Sequence, residues 1–200
     1  LTNTSGCQSS VSQTISVSAA PSADFKTSTP ACSQNQVMFT DQSSSVAGKI
    51  IRWEYNFGDG NVATIEYPGN PGISHIYSGA GIYNVTLTVV TENNCTATIS
   101  KNIEILPAPS ANFDFTHSCA GNSVQFSDLS QGKVVSWAWN FGDMGSGSTN
   151  FSNDRNPAHV YAQSGTYNVS LVIANNTGCK DTITRNISIS ASPAVDFSYN

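Results

Sequence analysis

Asp59 and Asp143 each close a Phe-Gly-Asp tripeptide, and a carboxylate behind a glycine turn can serve as a general base or a metal ligand. His75 and His159 each stand two residues before a tyrosine, Tyr77 and Tyr161. Acid–base work needs a partner for the carboxylate, and neither Asp59 nor Asp143 has a second carboxylate at an obvious partner position. A zinc site needs three or four converging ligands, and each half of the chain supplies one such histidine without an acidic cluster. No Ser-His-Asp or Cys-His set recurs at catalytic spacing. The aspartates therefore read as turn locks that accept backbone N–H groups, and the histidines as structural. On this reading the chain is not an enzyme.

The reason these residues come in pairs lies in the elements that carry them. "WEYNFGDGN" begins at Trp53, and "WAWNFGDMG" begins 84 residues later at Trp137. Phe57 to Tyr77 and Phe141 to Tyr161 are both 20 apart, and Tyr83 to Cys95 and Tyr167 to Cys179 are both 12 apart. Cys7 to Phe25, Cys95 to Phe113 and Cys179 to Phe197 are all 18 apart. Such self-similarity marks a repeated module. The register places the tail of one module at 1–20, complete modules at 21–106 and 107–191, and the start of another at 192–200. It predicts continuation in both directions.

Composition bounds the function. Charged residues make up 10% of the 200, against about 25% in an ordinary soluble domain, and Ser, Thr and Asn supply the polarity. Eight Lys and Arg in a chain of charge −5 cannot neutralise a row of phosphates, so nucleic acid is not expected as a partner. No run of 18 apolar residues suits membrane insertion. No basic-then-apolar leader opens the chain.

Each module reads as all-β. "NVTLTVV" (84–90) and "NVSLVIA" (168–174) alternate polar and apolar residues, as do "QVMFT" (36–40) and "SVQFS" (123–127). In "RWEYNF" the alternation puts Trp53, Tyr55 and Phe57 on one face, expected to be buried, with Trp137 on the matching face of the second copy. Seven or so short strands in about 85 residues suit a two-sheet sandwich. Tyr67, Phe151 and Trp139 are the aromatic positions to check for a solvent-facing sugar-stacking platform.

These motifs, in order and at matching spacing, resemble the polycystic kidney disease (PKD) domain: W-x-F-G-D-G, then N-P-x-H-x-Y, then G-x-Y-x-V-x-L. The resemblance covers both complete modules. It implies tandem immunoglobulin-like β-sandwiches in which Trp53, Phe57, Gly58, Asp59, His75, Tyr77 and Tyr83, with Trp137, Phe141, Gly142, Asp143, His159, Tyr161 and Tyr167, are mainly structural. Two positions depart from the pattern: Met144 stands where the family usually has glycine, and "NPGISHIY" is two residues longer than "NPAHVY". The cysteine-bearing form is similar to PKD arrays in surface and secreted proteins of Bacteroidetes-type bacteria, some of them adhesins. In that setting Thr182 of "DTI" is a candidate glycosylation position. Some PKD modules bind calcium through acidic loops; "DQSSSVAGK" and "DLSQGK" hold one Asp each, too few for the usual oxygen shell, so no cofactor is expected unless a structural calcium ion.

Five cysteines in such a β-chain imply an oxidising compartment, extracellular or cell-surface. Two pairings stay open. One is within modules, Cys32–Cys95 and Cys119–Cys179. In immunoglobulin topology, however, the start of strand B and the end of strand F lie about 20–25 Å apart, beyond the roughly 7 Å Cα separation a disulfide allows. The other joins modules, Cys32 to Cys179, with Cys95, Cys119 and Cys7 pairing to modules outside the sequence. The leading expectation is a disulfide-stapled stalk or adhesive filament whose partners are neighbouring modules, other copies, or surface polysaccharide or protein. The alternative is a set of non-catalytic carbohydrate- or protein-binding accessory modules of a secreted hydrolase.

Overall fold

A computed structural model describes residues 5, 6, 8, 10–14 and 17–193. Cys7, and the positions of the third module's start beyond residue 193, lie outside the described residues. In the first repeat the strands are β1 (Phe25–Thr27), β2 (Gln36–Asp41), β3 (Ile50–Asn56), β4 (Val62–Glu66), β5 (Ile73–Ile76), β6 (Gly81–Thr91) and β7 (Thr96–Ile105). In the second they are β8 (Phe113–Phe115), β9 (Ser123–Asp128), β10 (Val134–Asn140), β11 (Phe151–Ser152), β12 (Ala158–Val160), β13 (Gly165–Asn175) and β14 (Lys180–Ile189). The sheet orders β1-β2-β5 and β4-β3-β6-β7 recur as β8-β9-β12 and β11-β10-β13-β14. The fold is all-β and of the immunoglobulin-like sandwich type.

The chain forms two compact units. One gathers the described residues of Leu1–Lys26 with Thr40–Gly72 and Asn84–Lys101. Within it, β3 pairs β6 so that Trp53 faces Val89 and Tyr55 faces Leu87. The period of two then buries Trp53, Tyr55 and Phe57 together, with Val85, Leu87 and Val89 also buried. Phe25 meets the Tyr55 ring edge-on at 6.1 Å.

The other unit gathers Thr27–Phe39, Ile73–Tyr83 and the described residues of Asn102–Asn200. Its core holds Phe113, Phe126, Trp139, Phe141, Tyr161, Leu171 and Ile187, each exposed by no more than 1%. Burial of side chains this size contributes about 1.5–3 kcal/mol apiece.

One of the tryptophans was a position to check, and an expectation about another needs correction. Trp139 is 1% exposed and cannot serve in a surface platform. Trp137, expected in the core, is only partly buried and packs against the cluster's border. The two share a face because they are two residues apart, but Trp137 lies nearer the strand's open start, where the Arg155 guanidinium covers it at 5.8 Å.

Met144 also has a structural consequence. Gly60, at the equivalent place in the first repeat, has φ +93°, a region that side chains with a Cβ rarely enter. With methionine there the chain instead runs into a short 3-10 segment, Met144–Asn150. Hence β4 makes five pairs with β3, whereas β11 makes two with β10.

Candidate functional site: the turn lock and the repeat junction

The Phe-Gly-Asp turn is held from three sides in the second repeat. Asn140 Oδ1 accepts the Gly142 N–H at 2.9 Å and the Asn150 Nδ2 at 3.1 Å. The Asp143 N–H donates to Asn150 Oδ1 at 2.7 Å. Asp143 Oδ2 lies 3.0 Å from His159 Nε2, and His159 stacks on Phe141 and meets Tyr161 edge-on, both at 4.5 Å. The Tyr161 hydroxyl donates to the Phe141 carbonyl at 2.9 Å. Burial, and then the charge of Asp143, push the Tyr161 hydroxyl well above the usual phenol range. These hydrogen bonds close the turn on itself.

The first repeat carries the same glycine turn, with Asn61 beside its aspartate. Asn56 Oδ1 accepts the Gly58 N–H at 3.0 Å, and Asp59 accepts both the backbone N–H and the Nδ2 of Asn61 at 3.1 Å. His75 meets Tyr77 edge-on at 4.7 Å. Both turn glycines are required: a Cβ on Gly58 would lie 2.6 Å from the Asn84 carbonyl oxygen, and one on Gly142 2.5 Å from that of Asn168. Tyr83 and Tyr167 donate to the carbonyls of Gly79 and Gln163 at 3.0 and 2.9 Å, the tyrosine-corner arrangement of such sandwiches.

The carboxylates Asp41 and Asp128 sit beneath the tryptophans, and spacing alone did not single them out. Trp53 Nε1 donates to Asp41 Oδ2 at 2.9 Å. In the second repeat Arg155 Nε takes that place on Asp128 at 3.2 Å, and the Ser130 N–H adds 3.0 Å. Burial alone would raise the Asp128 carboxyl. Hydrogen bonds from Ser130, reinforced by Trp137 at longer range and by Arg155, outweigh it and hold the carboxyl below the usual range.

The aromatic candidates do not form a platform. Tyr67 is 52% exposed, but the Lys49 ammonium sits 3.3 Å over its ring. Phe151 is 60% exposed and belongs to the other repeat. Among the described residues no cluster of three or more His, Cys, Asp or Glu could hold a metal ion. Thr182 is exposed on β14 opposite Val172.

The junction is where residues from the two repeats meet. Cys32 is bonded to Cys179, with S–S 2.10 Å and Cα–Cα 5.8 Å. Neither within-repeat pair forms, and Cys95 and Cys119 are free thiols. Cys32 stands in a segment pinned to the end of β7: Leu106 N donates to Ala31 O at 2.8 Å, and Ser33 N donates to Leu106 O at 2.9 Å. Cys179 closes the β13–β14 hairpin, its N–H donating to Asn175 Oδ1 at 3.0 Å. Asn35 Nδ2 donates to Lys180 O at 3.1 Å. The Pro-bearing linker is tied from both sides. Ala108 N donates to Ser33 Oγ at 3.1 Å, Asn175 Nδ2 donates to Pro107 O at 3.0 Å, and Ala111 N donates to Asp181 Oδ2 at 2.7 Å. Sequence reading had found the cysteines here but not Ser33, Asn35, Asn175 or Asp181.

The profile of the PKD domain family matches residues 18–105 and again 107–190. The chain belongs to the PKD domain family. A 68-residue stretch is 38% identical to collagenase ColA of Bacillus cereus, covering 34% of this chain and 7% of that enzyme. Among solved structures, the PKD1 domain of Vibrio anguillarum Epp is 31% identical over 42% of this chain and 96% of its own, with TM-score 0.38. The PKD1 domain of the Vibrio cholerae metalloprotease PrtV is 28% identical over 42% and 99%, with TM-score 0.37. In this PKD pair the Phe-Gly-Asp turn is tied into the fold, and the junction holds the disulfide.

Proposed function

We propose that this PKD pair is a structural segment of a longer extracellular protein, in which a covalent staple fixes one repeat to the next. The observation that carries the reading is the Cys32–Cys179 bond, closed across 147 residues and set among hydrogen bonds that order the linker on both sides. A disulfide of this kind belongs to an oxidising compartment, which supports an extracellular setting, at a cell surface or in a filament. The segment is non-catalytic and works without a cofactor, its partners being neighbouring PKD modules. The test is rotational diffusion measured by NMR relaxation. The oxidised chain should tumble as one body, and Cys32→Ser with Cys179→Ser should release the two repeats to tumble faster. Equal tumbling of both proteins would overturn the staple's mechanical role.

A second reading rests on the 38% match to a collagenase. There the repeats are accessory modules that grip protein or polysaccharide for a hydrolase elsewhere in the chain. Co-sedimentation with insoluble collagen and with cellulose or chitin distinguishes the two. The structural reading expects no retention above that of an unrelated β-sandwich.

A further inference from the structure

A cleft of about 420 Å³ opens in the first repeat between the β2–β3 loop and the β4–β5 crossover. Trp53 forms its floor, Ile50, Tyr67 and Pro71 its apolar walls, and Ser44 and Lys49 its polar rim. All of these residues belong to one compact unit, in its segment Thr40–Gly72. The second repeat shows why the place is open in the first. Arg155 stands one residue before Asn156-Pro157, and Gly69 stands one residue before Asn70-Pro71. Arg155 reaches inward, its guanidinium 5.8 Å over the Trp137 ring and its Nε 3.2 Å from Asp128. Gly69 has no side chain to send. The bonds that join the repeats run elsewhere, to Cys179 and Lys180 of the β13–β14 hairpin. The place is therefore filled in the second repeat by that repeat's own arginine.

The lining indicates the ligand. Lys49 is its one charged side chain, and its ammonium rests 3.3 Å over the Tyr67 ring. Among the described residues no carboxylate pairs with that ammonium. The Asp41 carboxylate beneath the floor is already engaged at both oxygens, by Trp53 Nε1 at 2.9 Å and by the Ser43 N–H at 3.0 Å. Ser43 Oγ donates to the Asp24 carbonyl at 3.2 Å and Ser45 Oγ to the Ala47 carbonyl at 3.3 Å. The Ser44 hydroxyl is left without a partner among the described residues. An unpaired cation, an unused hydroxyl and a half-exposed phenol ring suit a pyranose that carries an acid group. Its C–H face packs on the aromatic ring, a hydroxyl meets the serine, and the acid meets the ammonium.

We propose that this cleft binds an acidic sugar unit of a polysaccharide, carboxylated or sulfated. The acid group pairs with the Lys49 ammonium and draws it off the Tyr67 ring, and the sugar takes the ring face in its place. A neutral sugar must displace the same ammonium and offers it no charge in return, so the cleft discriminates against it. The site lies wholly in the first repeat and uses neither cysteine of the staple, so it stands independently of that reading.

The test is an NMR titration of the full chain with trigalacturonate, with its uncharged methyl ester, and with a sulfated galactan oligomer. Shifts should concentrate in residues 43–50 and 67–71 and at the Trp53 indole N–H. The methyl ester should bind about fivefold more weakly than the acid. Lys49→Gln should bring the acid down to the affinity of the ester, and Tyr67→Leu should weaken the acid about fivefold. Lys133→Gln changes the matching lysine of the second repeat and should leave binding as it is. Tighter binding of the sulfated oligomer than of trigalacturonate supports the site with sulfate as its acid, and the reverse order supports it with carboxylate. Three results would each overturn the proposal: no shift in the cleft with any of the sugars in large excess, equal binding of charged and uncharged oligomers, or equal weakening by Lys49→Gln and Lys133→Gln. Peptide mapping of the Cys32–Cys179 bond in the same samples keeps such a failure separate from any failure of the staple.

Discussion

Arg185 on β14 donates through Nη1 to the carbonyl oxygen of Phe113 on β8, and through Nη2 to Asn112 Oδ1 at 2.7 Å. The strands belong to different sheets, so this cation ties the last strand of the repeat to its first. Its guanidinium also lies 5.1 Å over the Phe113 ring. Lys101, 84 residues earlier, does the same to the Phe25 carbonyl and to Asp24 Oδ1 at 2.6 Å. A cation flanked by inward-facing isoleucines on the last strand, repeated at the module spacing, was the available signal for this clasp.

Arg185→Met keeps the aliphatic stem and removes the charge-assisted bonds, leaving the Phe113 carbonyl short of a partner. The expected cost is about 1–3 kcal/mol, seen as a lower urea midpoint with unchanged slope. Arg185→Lys should recover part of it, because an ammonium can still reach one acceptor. Equal midpoints for Met and wild type would show that the clasp does not contribute.

The Cys32–Cys179 bond should contribute about 2–5 kcal/mol. Both sulfurs are buried, so a thiol reductant reaches them only when the junction opens. Native protein in dithiothreitol should keep the bond for hours, and the same reagent in urea should release two thiols promptly. Thiol counting over time distinguishes the cases. Rapid loss under native conditions would contradict a closed junction.

Asp128 sets an acid limit on the second repeat. Its side chain is 1% exposed, and its folded pKa lies below the unfolded value. The stability it adds is therefore fully present above about pH 4, and is lost as pH falls through the lower folded value. Asp128→Asn should flatten the loss of thermal midpoint between about pH 4 and pH 2 and lower the midpoint at neutral pH. An unchanged acid profile would exclude this carboxylate as the cause.

Gly142→Ala should be more damaging than any exposed glycine replacement. The site combines φ +71° with a 2.5 Å approach to the Asn168 carbonyl oxygen, and that oxygen is backbone, not a side chain that can swing away. The expected loss is about 2–4 kcal/mol. Gly147→Ala, with φ +60° and nothing within 4 Å, is the control and should cost about 1 kcal/mol. Thermal denaturation of the two variants side by side gives the comparison.

The repeat and the β-class were legible because both are periodic. A module spacing of 84 residues and a strand period of two survive in one dimension, and they placed Trp53, Tyr55 and Phe57 on one buried face. The same period put Trp137 and Trp139 on one face, but it carries no information on how far along a strand the core extends. That is why Trp137 ended at the border and Trp139 at the centre.

The sequence by itself determined the number of copies, the glycines that the turns require and the cysteine register. These depend on local backbone geometry and on spacing along the chain. Only the tertiary structure decided which sulfurs meet, because Cys32 and Cys179 are 147 residues apart and a disulfide is a statement about distance in space. The tertiary structure likewise decided that Asp128 receives Arg155 where Asp41 receives Trp53, and that Asp181 and Asn175 hold the linker. Such partners are chosen by which side chains packing brings within about 3 Å, a short-range selection that no pattern along the chain records.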